Sequence, residues 1–415
     1  MQDEKRRVLD LAERHVCPGR VHTFRALGVD LVMGRREGYR IWDLDGREFL
    51  DLHLNGGVFN LGHRNPELIA TLRDALDEWD IGNHHFPSGP RAALGETLAR
   101  LTPGNLQYAV FASGGGEAID LAIKTARHAT KRRKVVSIAK GYHGHTGLAL
   151  AAGDERFSRM FLSEGLPGEF VQVPWNDLDG MRAALDVGDV AAVVIETIPA
   201  TFGFPPPAPG YLAAVKALCD RHGTLYVADE VQTGLGRTGT LWAIEQHDVE
   251  PDVLVTGKGL SGGLYPIAAA LLSPRAAGWL EEDGWGHVST FGGAEVGCVV
   301  AQRVLEITTR PAVVANIRET ARAMREGLDA VRARHPEWLV EIRQSGLVMG
   351  LRFAHPQGAM RMTRSLYESG LWAMFAAHDP SVLQWKPGLL VDAALRSAML
   401  ERFEAGVERC LRALA

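Results

Sequence analysis

The stretch of sequence that decides the fold is residues 225–239, LYVADEVQTGLGRTG. Its first four residues form a short apolar run, which is typical of a strand buried in a sheet. The carboxylate of Asp229 follows that run directly, and burying a carboxylate is costly unless a cation or strong hydrogen-bond donors meet it. A helix cap or a structural ion pair would meet that need, and so would the protonated nitrogen of a heterocycle.

Outward from this stretch, short apolar runs alternate with segments of helical periodicity. The runs lie at residues 108–111, 135–138, 191–195, 225–228 and 253–255. After the first run, small and apolar residues recur at the spacing of one helix face, at Ala118, Leu121, Ala122, Thr125 and Ala126. The alternation predicts an α/β fold with a mostly parallel sheet flanked by helices.

The regions on either side of this pattern differ from it. Residues 1–50 begin with a predicted surface helix and carry a hairpin signal at Asp45-Gly46. Residues 51–295 form the predicted large domain. Residues 296–415 open with two long helical patterns and predict a smaller α+β C-terminal domain.

The composition excludes several classes of protein. The chain has 415 residues, 46% of them hydrophobic, and its 45 basic and 50 acidic side chains give a formal charge of −5. That balance argues against nucleic-acid binding. The apolar runs are far shorter than the roughly 18 to 20 residues of a membrane-spanning helix. The four cysteines have no paired spacing and no signal peptide is apparent, so we expect a cytoplasmic protein without a metal site or a membrane partner.

A glycine run precedes the first predicted helix of the α/β region. Ser113 begins the sequence Ser-Gly-Gly-Gly-Glu-Ala at the end of a predicted strand, where open α/β sheets bind their ligands. Backbone amides there would approach an anion, helped by about half a positive charge at the helix N-terminus. The run matches neither the dinucleotide nor the nucleoside-triphosphate pattern, and a tight turn is the other interpretation.

Two further side chains stand at predicted strand ends. Lys258 follows the run at 253–255 and lies between two glycines, where strand geometry would bury it. A desolvated amine is the kind that forms Schiff bases, although most lysines are solvated surface residues. Tyr142, on the glycine-bounded loop after residues 135–138, is either a core side chain or a platform for a stacked ring.

In this order, these residues resemble class III aminotransferases, which are pyridoxal-phosphate enzymes of fold type I. The resemblance runs from about residue 38 to residue 307, and its most specific part is 229–239, followed by Pro251-Asp252 and Lys258. It implies a large domain with a seven-stranded sheet, a smaller C-terminal domain, and pyridoxal 5'-phosphate as the cofactor.

The resemblance implies an aminotransferase that moves an amino group between an amino donor and an aldehyde or ketone. An aminomutase of the glutamate-1-semialdehyde type is the alternative, and a racemase or decarboxylase is a further one, because all share the same cofactor chemistry. A catalytically silent cofactor-binding protein comes from a different class. The retained Lys258 and Asp229 argue against it, since neither is needed for scaffolding.

The resemblance also implies a role for each matching residue around the ring of the cofactor. Lys258 would hold the cofactor as an internal aldimine and shuttle the proton, and Asp229 would pair with the pyridinium nitrogen. Tyr142 and Val231 would lie against the two faces of the ring. Gln232 would reach its phenolic oxygen.

The remaining matches concern the phosphate and the subunit interface. Gly115 and Gly116 match the phosphate-binding pair of the family. Thr290 matches a threonine that reaches the phosphate from the neighbouring subunit, which implies a homodimer. Glu196 matches a glutamate near the active site, and we assign it no catalytic step.

Two departures from the family bear on cofactor and substrate. The family usually has threonine or serine at position 116, so Gly116 supplies no hydroxyl and phosphate binding must depend on backbone amides. Relatives that use glutamate as donor have an arginine where this chain has Gln384, and glutamine cannot replace its charge on a carboxylate. Either Lys386 takes over or the usual carboxylate site is altered.

Aromatic residues give a further hint about the substrate. Phe86 and Trp385, together with Glu196, fall where family members line the substrate channel. They indicate an apolar or aromatic portion on one substrate. The two aromatic side chains would serve equally well as interface core.

Overall fold

The structure is a computed structural model and describes residues 2–414. Its α-helices are α1 Gln2–His15, α2 Pro18–Ala26, α3 Pro66–Glu78, α4 Gly89–Leu101, α5 Gly115–Thr130, α6 Gly147–Ala152, α7 Glu155–Met160, α8 Leu178–Asp186, α9 Tyr211–His222, α10 Trp279–Glu282, α11 Glu295–Thr308, α12 Pro311–Arg334, α13 Gly358–Glu368 and α14 Ala393–Arg412. Its strands are β1 Met33–Glu37, β2 Arg40–Asp43, β3 Glu48–Asp51, β4 Tyr108–Ala112, β5 Lys134–Ile138, β6 Phe170–Val173, β7 Val190–Glu196, β8 Leu225–Asp229, β9 Val253–Thr256, β10 Ala268–Leu272, β11 Leu339–Ser345, β12 Val348–Phe353, β13 Leu371–Trp372, β14 Met374–Ala376 and β15 Asp379–Trp385.

Seven strands form the large sheet, in the order β4-β10-β9-β8-β7-β5-β6. The five strands β5 to β9 run parallel to one another. Strand β10 is antiparallel to both of its neighbours, β4 and β9. Every residue of β7 and β8 is buried, as expected when helices cover both faces of a parallel sheet. The predicted α/β fold with a mostly parallel, seven-stranded sheet is confirmed.

The register of this sheet brings three strand ends together. Glu196, the last residue of β7, pairs with Asp229, the last residue of β8. Asp229 is in turn opposite Val255 of β9, three residues before Lys258. Because parallel strands end at one edge, the residues that follow them lie close in space. Helix α5 packs its buried face, which includes Leu121, on the same sheet.

The chain divides into two compact units. The first comprises Met1–Asn65, Phe202–Phe204 and Ala312–Ala415, and the second comprises Pro66–Thr201 and Pro205–Pro311. The sequence-based division at 50 and 295 follows the order of the chain, whereas these units follow contacts within the fold.

Two packing features explain the bounds of the units. Strand β3 pairs in parallel with β13, with Leu50 opposite Leu371, so the N-terminal segment belongs with the C-terminal one. Helix α11 packs against α3 and α4, and it therefore belongs to the second unit.

The first unit contains two four-stranded sheets, β1-β2-β3-β13 and β11-β12-β15-β14. The hairpin predicted at Asp45-Gly46 is confirmed, since it joins the antiparallel strands β2 and β3. Residues of α12, α13 and α14 share a buried cluster with β11, β12 and β15, and the partners include Leu328, Leu383 and Phe403. The smaller α+β domain predicted for the C-terminal region therefore has its own core.

No helix between residues 2 and 414 has the length and apolarity needed to cross a membrane. In the same range, no group of three or more His, Cys, Asp and Glu side chains is arranged to hold a metal ion.

Candidate active site

A cavity lies in the second unit at the carboxyl edge of the parallel strands. Its empty volume is about 540 Å³, counted out to its open mouth. The lining residues are Gly115, Gly116, Tyr142, His143, Gly144, Glu196, Asp229, Val231, Gln232, Thr233 and Lys258. The structure thus brings together eight of the residues singled out in the sequence, from four strand ends and the start of α5.

Lys258 is the cationic side chain of this cavity. It follows β9 with a φ of 43°, a left-handed conformation that costs free energy for a residue with a side chain. Burial lowers the pKa of its amine, and the charges of Asp229 and Glu196 oppose that shift only in part. Nζ lies 5.9 Å from the centre of the Tyr142 ring. No carboxylate of the described chain forms an ion pair with it, so the amine is available for chemistry.

Asp229 is held rigidly at the end of β8. It is 5% exposed. Its Oδ2 is 2.8 Å from Nδ1 of His143, and its Oδ1 accepts a hydrogen bond from the Val231 amide at 3.1 Å. Burial lowers the pKa of His143, but the hydrogen bond and charge of Asp229, with the charge of Glu196, outweigh burial and the net shift is upward. The two hydrogen bonds therefore fix the orientation of the Asp229 carboxylate in the cavity.

Glu196 is the second carboxyl group of the cavity. It accepts hydrogen bonds from the amides of Tyr142 at 3.0 Å and Ala200 at 3.3 Å. Burial raises the pKa of this carboxyl, with a further rise caused by Asp229 and an opposing effect of His143. Glu196 thus anchors the backbone of the Tyr142 loop, which presents the aromatic ring to the cavity.

The neighbouring Glu230 belongs to a different environment. It is 1% exposed and accepts hydrogen bonds from the hydroxyls of Thr197 and Thr233, at 2.6 and 2.7 Å. The amides of Ala243 and Ile244 donate to it at 3.1 and 2.8 Å. Four donors satisfy this carboxyl group, so its role is to hold the turn after β8 in place.

Glycines form the corner of the cavity at the start of α5. A side chain at Gly115 would place its Cβ 3.1 Å from Cγ1 of Val231, so the close approach favours glycine. Ala118 donates the first hydrogen bond within α5, to the carbonyl of Gly114. The amides of Gly115 and Gly116 are consequently free donors at the N-terminus of a 16-residue helix.

The cavity fits pyridoxal phosphate. It offers a desolvated amine for an aldehyde, a buried carboxylate for a ring nitrogen, an aromatic side chain for a ring face and free helix amides for a phosphate. These four features match the aldehyde, the ring nitrogen, the ring face and the phosphate of that molecule.

Three predicted residues lie elsewhere in the chain. Thr290 is exposed in the loop before α11 and does not line the cavity of its own chain. Phe86 is 73% exposed in the loop before α4, and its substrate contact stays a prediction. Trp385 is fully buried in the first unit, 5.0 Å from the ring centre of Phe403, which fits the interpretation as a core residue.

Sequence reasoning missed His143, Gly144 and Thr233. His143 follows Tyr142 on the loop after β5, but its partner Asp229 is 86 positions away in the chain, so no local signal in the sequence reveals the pair. Gly144 has a φ of 115°, and this need for glycine is invisible without the fold. Thr233 was part of the quoted motif but has no side-chain chemistry that singles it out.

The chain is similar to known proteins over nearly its whole length. Residues 25–407 match the sequence model of the family Aminotransferase class-III. A protein from Archaeoglobus fulgidus, described as an uncharacterized aminotransferase, is 49% identical over 404 residues, which are 97% of this chain and 94% of that protein.

Solved structures agree with this match. N-acetylornithine aminotransferase from Stenotrophomonas maltophilia is 28% identical, with a TM-score of 0.80 over 95% of this chain and 100% of that chain. An ornithine aminotransferase from Toxoplasma gondii, with partial occupancy of PLP at its active site, is 25% identical, with a TM-score of 0.86 over 97% and 95% of the two chains. The aminomutase alternative finds no support here. The chain belongs to the class III aminotransferase family and is an aminotransferase.

Proposed function

We propose that this aminotransferase holds pyridoxal 5'-phosphate in the cavity around Lys258 and Asp229, as the family implies. When bound, this cofactor supplies an aldehyde that receives the amino group and a ring that withdraws electrons from the substrate carbon. The amino donor leaves as a carbonyl compound, and the carbonyl acceptor leaves as an amine.

Lys258 has two tasks in this proposal. Its Nζ holds the aldehyde carbon of the cofactor in the resting enzyme, because a lowered pKa leaves more of the amine in its neutral, nucleophilic form. Once the donor has taken its place, the same nitrogen would accept the proton of the substrate carbon and return it. A base held at the end of a strand with no ion-pair partner is suited to that transfer.

Asp229 keeps a proton on the ring nitrogen. Its charge is directed by the hydrogen bond with His143 at 2.8 Å and is shielded from water by burial. A fixed carboxylate in a dry site stabilises a neighbouring cation without reorganisation. Tyr142 and Val231 line the same cavity and would lie against the two faces of the ring, and Gln232 would donate to its phenolic oxygen.

One observation carries the proposal above the others. The desolvated, unpaired amine of Lys258 and the buried carboxylate of Asp229 line the same cavity as the free N-terminal amides of α5. Each feature alone has a structural explanation. Their convergence in one cavity is what a pyridoxal-phosphate site requires.

An absorbance experiment tests the function. Saturating the purified holoenzyme with a series of amino donors, without acceptor, should convert the bound cofactor from its aldehyde form to its amine form. Adding an aldehyde or keto acid should reverse the change. Lys258→Ala serves as the control and should show no conversion, whereas conversion at the normal rate in that variant contradicts the assignment of Lys258.

We further propose a homodimer in which Thr290 completes the phosphate site of the partner. The loop around Thr290 exposes large apolar side chains, with Trp285 58%, Val288 48% and Phe291 51% accessible. His85 stacks edge-on against Trp285 at 5.0 Å, so this surface is continuous with the loop before α4. Exposed apolar patches of this kind mark interaction sites.

Sedimentation tests the dimer. The wild-type chain should sediment as a dimer at micromolar concentration, and Phe291→Lys should shift it toward the monomer with loss of activity. Leu76→Lys, an exposed apolar residue on α3, is the matched control. A fully active wild-type monomer would contradict the proposal.

The amino donor is expected to be a monocarboxylate amino acid or an amine. Gln384 stands where relatives that use glutamate have arginine, and Lys386 donates to its Oε1 at 2.7 Å. Lys386 is 1% exposed and lies 5.8 Å from the ring centre of Phe204. These contacts embed the lysine in the first unit, which supports an altered carboxylate site.

A further inference from the structure

The phosphate corner of the cavity has a free hydroxyl group beside it. Helix α5 starts with Gly115 and Gly116, and neither residue brings a side chain to an anion. The loop after β5 lies directly over this first turn, because a Cβ on Gly144 would be 2.6 Å from the Cα of Gly116. Thr146 follows two residues later on the same loop.

Thr146 occupies the space that a side chain at position 116 would use. A Cβ built on Gly116 would lie 2.9 Å from Oγ1 of Thr146 and 3.5 Å from its Cγ2. The hydroxyl oxygen is the nearest atom to that point. The absence of a side chain at position 116 is thus matched by a hydroxyl that arrives from another loop.

The hydroxyl of Thr146 is not used by the fold. Thr146 is the N-cap of α6, a position where threonine usually accepts a hydrogen bond from the second or third helical amide. It makes no such bond here, because Asp120 of α5 accepts from the third amide, that of Ala149, at 2.6 Å. Nor does the structure give the Thr146 hydroxyl another partner among residues 2–414, and the residue is exposed.

We propose that Thr146 donates a hydrogen bond to the cofactor phosphate and replaces the hydroxyl that Gly116 lacks. This inference rests on the proposed function. The backbone amides of Gly115 and Gly116 would hold the phosphate at the N-terminus of α5, and Thr146 would add a side-chain donor from the loop after β5. A hydrogen bond to a charged group is stronger than a neutral one, so the hydroxyl contributes directly to cofactor affinity.

Cofactor titration of the apo-protein tests this role. Thr146→Ala should raise the dissociation constant for pyridoxal phosphate roughly ten- to a hundredfold, and Thr146→Ser should stay within about threefold of wild type. Pyridoxal, which has no phosphate, should bind Thr146→Ala and wild type alike. Thr130→Ala, which removes a hydroxyl at the other end of α5, is the control and should leave both constants unchanged.

A double variant sharpens the test. Gly116→Ser alone meets Thr146 Oγ1 and should gain no affinity. In the Thr146→Ala background the serine has room, and Gly116→Ser should recover most of the lost affinity. No recovery, in a double variant that melts like wild type, would show that the two positions do not share one task.

Three results would overturn the inference. Thr146→Ala could bind pyridoxal phosphate as wild type does, or it could lose affinity equally for pyridoxal, which would indicate a general change in the cavity. In both cases wild type still carries the cofactor on Lys258 and the proposed function stands. A wild-type apo-protein that binds no pyridoxal phosphate at all overturns the proposed function, and this inference with it.

Discussion

Two lysines, one in each unit, differ in their ion pairs and in the direction in which their pKa is shifted. Lys5, in α1 of the first unit, is 7% exposed and forms ion pairs with Asp30, Asp43 and Asp45 at 3.0 to 3.1 Å. Burial lowers its pKa, but the three carboxylates outweigh burial and raise the pKa well above its ordinary value. Lys258, in the second unit, has no ion-pair partner within residues 2–414, and burial lowers its pKa.

The difference separates a structural lysine from a reactive one. Three carboxylates make the Lys5 ammonium a permanent charge that fastens α1 to the hairpin of β2 and β3. Lys258 lies near Asp229 and Glu196, but each of these carboxylates is bound by other donors. Backbone amides and His143 thus bind the two carboxylates of the cavity, and the amine of Lys258 is left without an ion pair among the described residues.

Removing each lysine should give the largest contrast. Lys258→Ala should abolish transamination in a protein that still folds, because the amine that binds the aldehyde and moves the proton is gone. Lys5→Met should keep the turnover number but lose about 1 to 3 kcal/mol of stability, since it leaves partly buried aspartates unpaired. Turnover and denaturant unfolding of both variants give the comparison. An equal loss of activity in the two variants would contradict the assignment of Lys258 as the reactive lysine and Lys5 as a structural one.

Substitutions of the adjacent acids Asp229 and Glu230 should show the same contrast, with a loss of turnover in one variant and a loss of stability in the other. Asp229→Asn should lower the turnover number by at least about a hundredfold with the fold intact, because a neutral amide no longer stabilises the ring cation. Cofactor affinity should fall less than turnover. Glu230→Gln should mainly lower the melting temperature, since its four donors hold a turn. Near-normal turnover in Asp229→Asn would make Asp229 merely structural.

A further lysine, Lys386, is 1% exposed and leads to a prediction about the donor. With Gln384 in place of arginine, the second carboxylate or the α-carboxylate of glutamate lacks a charge-assisted contact worth about 1.5 to 3 kcal/mol, or roughly ten- to a hundredfold in affinity. Glutamate should therefore be a poorer donor than alanine or a simple amine. Half-reaction rates with the three donors measure this. The highest specificity constant for glutamate would mean that Lys386 supplies the missing charge.

The smallest effect concerns the pH dependence of apo-protein stability. The folded pKa of Lys258 is below its ordinary value of 10.5, so the unfolded chain binds more protons between those two values and stability rises with pH. Lys258→Met should therefore have a larger free energy of unfolding than wild type at neutral pH. This difference should shrink as pH rises toward 10. Lys5 has a raised folded pKa, so the stability it contributes is fully present below 10.5 and is lost only above it.

Thermal unfolding of the two methionine variants between pH 7 and pH 10 checks this prediction. The loss of stability in Lys5→Met relative to wild type should stay constant over this range. The difference in stability between Lys258→Met and wild type should narrow. A constant gap for Lys258→Met would indicate that the amine is charged in the folded apo-protein.

The sequence predicts the sheet well because its strands are continuous apolar runs with a chemically distinctive residue after them. Asp229, Lys258 and Tyr142 could be named for that reason. His143 and Thr146 could not, because their importance depends on which loop crosses α5 and on a left-handed glycine at position 144. Likewise, the pairing of β3 with β13 joins residues more than 300 positions apart, and no local pattern reports it.

The central claim is that Lys258 is the lysine that carries the cofactor. Reduction of the purified holoenzyme with borohydride, followed by peptide mapping, tests it directly. We expect a single phosphopyridoxyl adduct on Lys258, with Lys5 and Lys386 unmodified. An adduct on another lysine, or none in a protein that retains activity, would contradict it.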